Sequence, residues 1–155
     1  MPAIERILVP TDFSPHSAEA TAWAADLAGR YRASVTLVHV YQPVSMMLPE
    51  GFVLTSAEQI AELLASLNAA LAEAKVQLAA AAPGVKVDAT LLEGAPFAEI
   101  VRHAREEGFD LIVVGTHGRT GLRHALLGSV AEKVVRKAHC PVLTVRLAGH
   151  SFEHP

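Results

Sequence analysis

Hydrophobic positions along the chain fall into two alternating rhythms. Residues 4–9 (IERILV) form a short, branched, apolar run that reads as a strand buried on both faces. Ser14 and Pro15 follow, a capping residue and a first-turn proline, and Ala18, Ala22, Ala25 and Ala28 then recur at helical spacing to about Tyr31. Residues 34–41 (SVTLVHVY) give a second strand, and residues 42–54, with two prolines and a glycine, read as a loop. Thr55 and Glu58 have the spacing of a capping box opening a long helix, whose apolar face would carry Ile60, Leu63, Leu64, Leu67, Leu71 and Leu78 up to Pro83-Gly84.

The rhythm then repeats. Residues 85–92 (VKVDATLL) alternate as a strand does, with Lys86 and Asp88 toward water. Pro96 opens a helix with Phe97, Ile100, Val101 and Ala104 on one side, and residues 110–114 (DLIVV) form a fourth buried strand. Ser129 and Glu132 show a second capping-box spacing before a helix to about His139, and residues 140–146 (CPVLTVR) form a fifth strand. Strands alternating with helices predict an α/β fold, an open parallel sheet with helices on both faces. Ligands of such sheets sit beyond the carboxyl ends of the strands, where strand order reverses. That singles out the turn after the first strand (PTDFS) and the turn after the fourth (GTHGRTG).

Composition narrows the class. In 155 residues, 51% hydrophobic and 19% charged, there is enough apolar surface for one core. Residues 1–147 read as one domain, and residues 148–155 as a mobile tail. A net charge of -3 argues against a general nucleic-acid binder. A single cysteine, Cys140, allows no internal disulfide; packing is the expected role of that thiol. With no leader-like segment and no long apolar run, the expectation is a cytoplasmic protein without membrane attachment.

Chemistry concentrates in residues 115–129, which hold four of the ten glycines together with Arg119, Arg123, His117 and His124, and no acidic residue. Glycines let backbone N–H groups close around an anion, and a helix opening at Ser129 adds its own unpaired N–H groups and positive dipole end. The stretch therefore suits phosphate, although glycines also serve ordinary turns. Neither a Walker-type lysine loop nor a dinucleotide glycine fingerprint is present. The eight histidines form no metal-binding motif; His117 and His124 are expected as hydrogen-bonding groups, and His39 as a satisfied half-buried ring. Met46 and Met47 suit a flexible lid or a partner surface as well as a plain mobile loop.

The spacing Gly115-x2-Gly118-x9-Gly128-Ser129 resembles the ATP-binding branch of the universal stress protein family. ILVPTDFS, LVHV, LLGSVAEKVV and CPVLTV stand in the order that family shows. The resemblance implies a Rossmann-like, adenine nucleotide alpha hydrolase-like sheet of five parallel strands in the order 3-2-1-4-5, binding ATP at the switch point. On it, Pro10 and Thr11 would shape the first turn and Asp12 would bind the ribose hydroxyls. Val40 would read the adenine edge through its backbone. Gly115 and Gly118, with Thr116 and His117 beside them, would admit ribose and phosphates, with Arg119 near the phosphate tail. Gly128, Ser129 and Val130 would hold the phosphates. ATP is the expected ligand, AMP or ADP the alternatives, with magnesium or manganese carried by the phosphates.

The loop supplies amides and arginines but no acid close by to support efficient phosphoryl transfer, so slow hydrolysis is the most expected of it. A nucleotide-responsive switch in stress response is the leading function; a true ATPase or nucleotide hydrolase and a nucleotide-independent stress scaffold are the alternatives. The resemblance further implies a homodimer through residues 140–146, whose apolar edge invites pairing, and an unknown protein partner.

Overall fold

The computed structural model describes residues 3–42, 46–48, 51–53, 56–117 and 127–147, with residues 46–48 and 51–53 described by their backbone. Their elements run β1 (Arg6–Pro10), α1 (Pro15–Tyr31), β2 (Ser34–Tyr41), β3 (Met46–Leu48), β4 (Gly51–Val53), α2 (Ala57–Ala81), β5 (Val87–Glu93), α3 (Pro96–Glu106), β6 (Leu111–Gly115), α4 (Ser129–Lys137) and β7 (Val142–Val145). Five strands form one parallel sheet in the order β5-β2-β1-β6-β7. Counting the sheet's own strands along the chain, this is the expected 3-2-1-4-5 arrangement. The tail at 148–155 lies outside the described residues.

Burial on both faces follows from strand alternation. Ile7 and Val9 of β1 point into one core layer with Val35, Leu37 and Val113 against the alanines of α1 and Leu71 and Leu78 of α2. Leu8 points the opposite way, joining Val38, Ile112 and Val114 against Ile100 and Ala104 of α3 and Val134 of α4. Small residues at Ala20, Ala24 and Ala28, each with no exposed surface, let α1 lie close to the sheet.

The helix ends show why the chain breaks where it does. Ser14 caps α1 by accepting from the Ser17 N–H at 3.3 Å. For α2 the capping box is formed by Ser56 and Gln59, one residue past the Thr55/Glu58 pair expected from sequence. Both pairs have suitable side chains, so sequence spacing alone did not separate them. Gly108, at φ +66, turns the chain out of α3, and the Phe109 N–H then bonds the Ala104 carbonyl.

A further expectation needs correction. The stretch at 42–54 is not simply a loop: Met46–Leu48 and Gly51–Val53 pair antiparallel as a small second sheet. Two prolines and a glycine near so short a pair hid it, because three-residue strands carry too little alternation to register. The apolar face of α2 is also only half used. Leu71 and Leu78 are buried, whereas Ile60 and Leu63 are exposed. Twenty-five helical residues span about 37 Å, against about 23 Å for the seven residues of β5. The N-terminal half of α2 thus overhangs the sheet.

Leu8 sits on the central strand with 0% exposure. Leu8→Ala is expected to lower the unfolding free energy by about 2–5 kcal/mol, read as a shifted urea midpoint at unchanged slope.

Candidate functional site

Strand order reverses between β1 and β6. The connection after β1 runs back through α1 on one face, and the connection after β6 runs through α4 on the other. Beyond the two carboxyl ends the chain therefore parts, leaving a cavity of about 290 Å³.

Ten of the twelve residues expected at a ligand site border that cavity. Pro10, Thr11 and Asp12 come from the end of β1, Val40 from β2, and Gly115, Thr116 and His117 from the end of β6. Gly128, Ser129 and Val130 come from the start of α4. Gly118 and Arg119 lie outside the described residues, as do Arg123 and His124.

The β1 turn is held by its own side chains. The Thr11 hydroxyl accepts from the Phe13 N–H at 3.1 Å and lies 3.2 Å from the Ser17 hydroxyl. Asp12 accepts from the Ser14 N–H at 3.0 Å, so part of its carboxylate serves the turn at the foot of α1. Phe13 takes a left-handed φ of 63°, turning its ring to within 4.6 Å of the His39 ring.

His39 was read as satisfied, and it is: it is buried, with Nδ1 2.7 Å from the Thr11 carbonyl. Since a carbonyl only accepts, Nδ1 carries the hydrogen of this contact. Sequence reasoning did not place His39 at the cavity, which it lines. Ser17, Pro96, Val38, Val114, Ile100 and Ala131 were missed there too; the last four belong to the core on their other sides.

Val40 owes its place to register. The Val38 carbonyl accepts from the Thr11 N–H, so the backbone groups of Val38 face β1. Two residues on, those of Val40 face the same way, but β1 has already ended at Pro10 opposite Val38. A donor and an acceptor are thus turned toward the cavity.

The start of α4 supplies the other polar wall. Its N-cap is Gly128, not Ser129, which corrects the capping box expected at Ser129/Glu132. Ser129 is the first helical residue, while Glu132 pairs with Arg136 at 3.4 Å. The Gly128 N–H bonds the Thr116 carbonyl, tying helix to strand. Glycine offers no capping oxygen, and no side chain caps this helix. Among the described residues the N–H groups of Ser129, Val130 and Ala131 meet no acceptor, and all three residues border the cavity. Unpaired N–H groups at the positive end of a helix dipole suit an anion. Elsewhere, burial pushes the Cys140 thiol up, away from the reactive thiolate form.

These residues match the model of the universal stress protein family over positions 3–146. The chain is 43% identical to universal stress protein MJ0531 of Methanocaldococcus jannaschii, over 92% of this chain and 82% of that protein. The solved structure of the hypothetical protein MJ0577 of the same organism superposes with a TM-score of 0.82 at 32% identity, covering 96% of this chain and all of that one. A solved universal stress protein in complex with cAMP superposes at 0.71 with 28% identity, covering 95% and 100%.

Gly115 marks how tightly the site is assembled. A Cβ there would stand 2.7 Å from the His16 carbonyl oxygen. Gly115→Ala is expected to cost about 1–3 kcal/mol in denaturant unfolding. Gly29→Ala, in α1 with nothing within 4 Å, is expected instead to stabilise by up to about 1 kcal/mol.

Proposed function

The chain belongs to the universal stress protein family, and from that premise we propose that it binds an adenine nucleotide, ATP foremost, and acts as a nucleotide-responsive switch. The observation that carries this reading is the uncapped N-terminus of α4 opening into the cavity between β1 and β6. A relative held in complex with cAMP supports an adenine ligand.

In this reading the adenine lies against Val40, whose outward backbone donor and acceptor match the edge of a base. The ribose hydroxyls donate to Asp12, a carboxylate suited to two hydroxyl protons. The phosphates meet the N–H groups of Ser129 and Val130 and the Ser129 hydroxyl, which no cap detains. Gly115 and Gly128, with Pro10, Thr11, Thr116 and His117, shape the wall, while Gly118 and Arg119 extend the phosphate end. Magnesium or manganese would arrive on the phosphates, with water as its main remaining ligand. No lysine borders the cavity and Asp12 is its one carboxylate among the described residues, so turnover is slow and occupancy is the signal.

Calorimetry on protein stripped of small molecules tests the pocket. ATP is expected to bind with saturation, and Asp12→Ala to weaken it about 10- to 100-fold, with the thermal midpoint measured alongside to separate lost contact from lost fold. No saturation by millimolar ATP, with or without divalent ion, defeats the reading. Multiple turnovers per second in a phosphate-release assay would replace the switch with an enzyme.

The same premise extends to a homodimer through β7. This strand is one edge of the sheet and carries Val142 and Leu143, both half-buried in the single chain. Light scattering at micromolar concentration is expected to give twice the 16.4 kDa chain mass; the single mass refutes the pairing.

A further inference from the structure

One side chain of β2 grips the turn that follows β1. Val38 and Val40 pack into the layer of α3 and α4, so His39 between them points to the face that α1 covers. There its ring meets both chain neighbours of Asp12. Nδ1 lies 2.7 Å from the Thr11 carbonyl, and the ring centroid lies 4.6 Å from that of Phe13. The peptide joining Thr11 to Asp12 is thus held at its oxygen. On the far side of Asp12, Phe13 keeps a φ of 63°. Side chains rarely adopt that left-handed angle, and it persists where surrounding contacts impose it.

The same contact alters the ladder. In a parallel pair, a residue whose N–H bonds one carbonyl of its neighbour strand accepts from the N–H two residues further along that strand. The Thr11 N–H bonds the Val38 carbonyl at 2.8 Å, so the next rung would run from the Val40 N–H to the Thr11 carbonyl. Among the described residues that rung is not made: β1 stops pairing with β2 at Pro10, opposite Val38. The Thr11 carbonyl takes the imidazole N–H instead. A buried side chain that also lines the cavity therefore stands in for a main-chain donor at the point where the sheet opens.

We propose that His39 is a positioning residue of the cavity: by occupying the Thr11 carbonyl it holds the turn that presents Asp12 and leaves the Val40 N–H to a ligand. What Asp12 and that N–H then bind rests on the nucleotide reading above; the substitution of one donor for another does not. Without the ring, the Thr11 carbonyl has the Val40 N–H as its remaining ladder donor, and a buried carbonyl left unpaired is costly. The rung closes, the donor aimed at the base is used up, and the Thr11–Asp12 peptide turns with it. Two substitutions separate the parts of the ring. Asparagine places Nδ2 as many bonds from the backbone as the histidine Nδ1 and donates without a ring. Phenylalanine keeps a ring beside Phe13 and has no donor.

The test first follows the Val40 amide of the full-length chain, without nucleotide, by hydrogen exchange read in proton–nitrogen NMR. In the wild-type protein it is expected to exchange at least about tenfold faster than the Val38 amide inside the ladder. His39→Phe is expected to slow it by a similar factor, and His39→Asn to restore the wild-type rate. Equal protection of Val38 and Val40 in the wild-type protein overturns the proposal even if a variant fails to fold. Calorimetry then compares ATP with 2′,3′-dideoxy-ATP, which lacks the hydroxyls assigned to Asp12. The wild-type protein is expected to prefer ATP about 10- to 100-fold, His39→Phe to lose most of that preference, and His39→Asn to recover it, with thermal midpoints measured alongside. A ring that acts by packing alone weakens both nucleotides alike and leaves the Val40 amide unchanged, and that result overturns the proposal while ATP binding keeps the nucleotide reading in place. The expected exchange rates with no ATP binding by the wild-type protein uphold the donor substitution and overturn the nucleotide reading.

Discussion

Reversal of strand order between β1 and β6 is the constraint from which the rest follows. Right-handed crossovers carry α1 and α2 to one face of the sheet and α3 and α4 to the other. Two adjacent strands that send their chains to opposite faces cannot close the gap between their own ends. Every polar group on the rim of that gap must find a partner outside the sheet, or wait for a ligand. The turn after β1 finds its partners internally, through Thr11, Asp12 and Ser17. The backbone of Val40 and the first turn of α4 do not.

The helix termini make the division plain. Where α1 and α2 begin, a serine meets the free N–H groups of the first turn. The two helices that begin at the cavity have Ala95 and Gly128 as N-caps and no side-chain cap. A missing cap costs about 1 kcal/mol of helix stability, and here it leaves donors directed at a 290 Å³ space. At the opposite wall Gly115 lets α1 come against β6, which sets the ring of His16 beside that of His117.

Much of this was legible in the residues. Two-residue and three-to-four-residue periods separated strands from helices because a strand buried on both faces and a helix packed on one have different apolar spacing. Pro15 and Pro96 marked the starts of α1 and α3, since a first-turn proline gives up no hydrogen bond. Gly115 and Ser129 stood out within one glycine-rich stretch, and Asp12 through the family resemblance. Finer placement was harder. Ser129 reads as a cap from sequence because serine caps well, yet the hydrogen bond from the Gly128 N–H to the Thr116 carbonyl starts the helix one residue earlier. The paired β3 and β4 were hidden for want of length.

Sequence by itself determined the alternation of elements, the parallel sheet and the concentration of glycine and serine at its carboxyl edge, because these depend on neighbours within a few residues of one another. Tertiary structure alone decided that His39 turns its buried ring to the Thr11 carbonyl, that Val40 outlasts its neighbour β1, and that His16 meets His117. Each of those facts joins residues far apart in the chain, whose meeting depends on register and on the absence of a single Cβ at Gly115. Local propensity carries no information about such contacts. They exist only once the layers have closed.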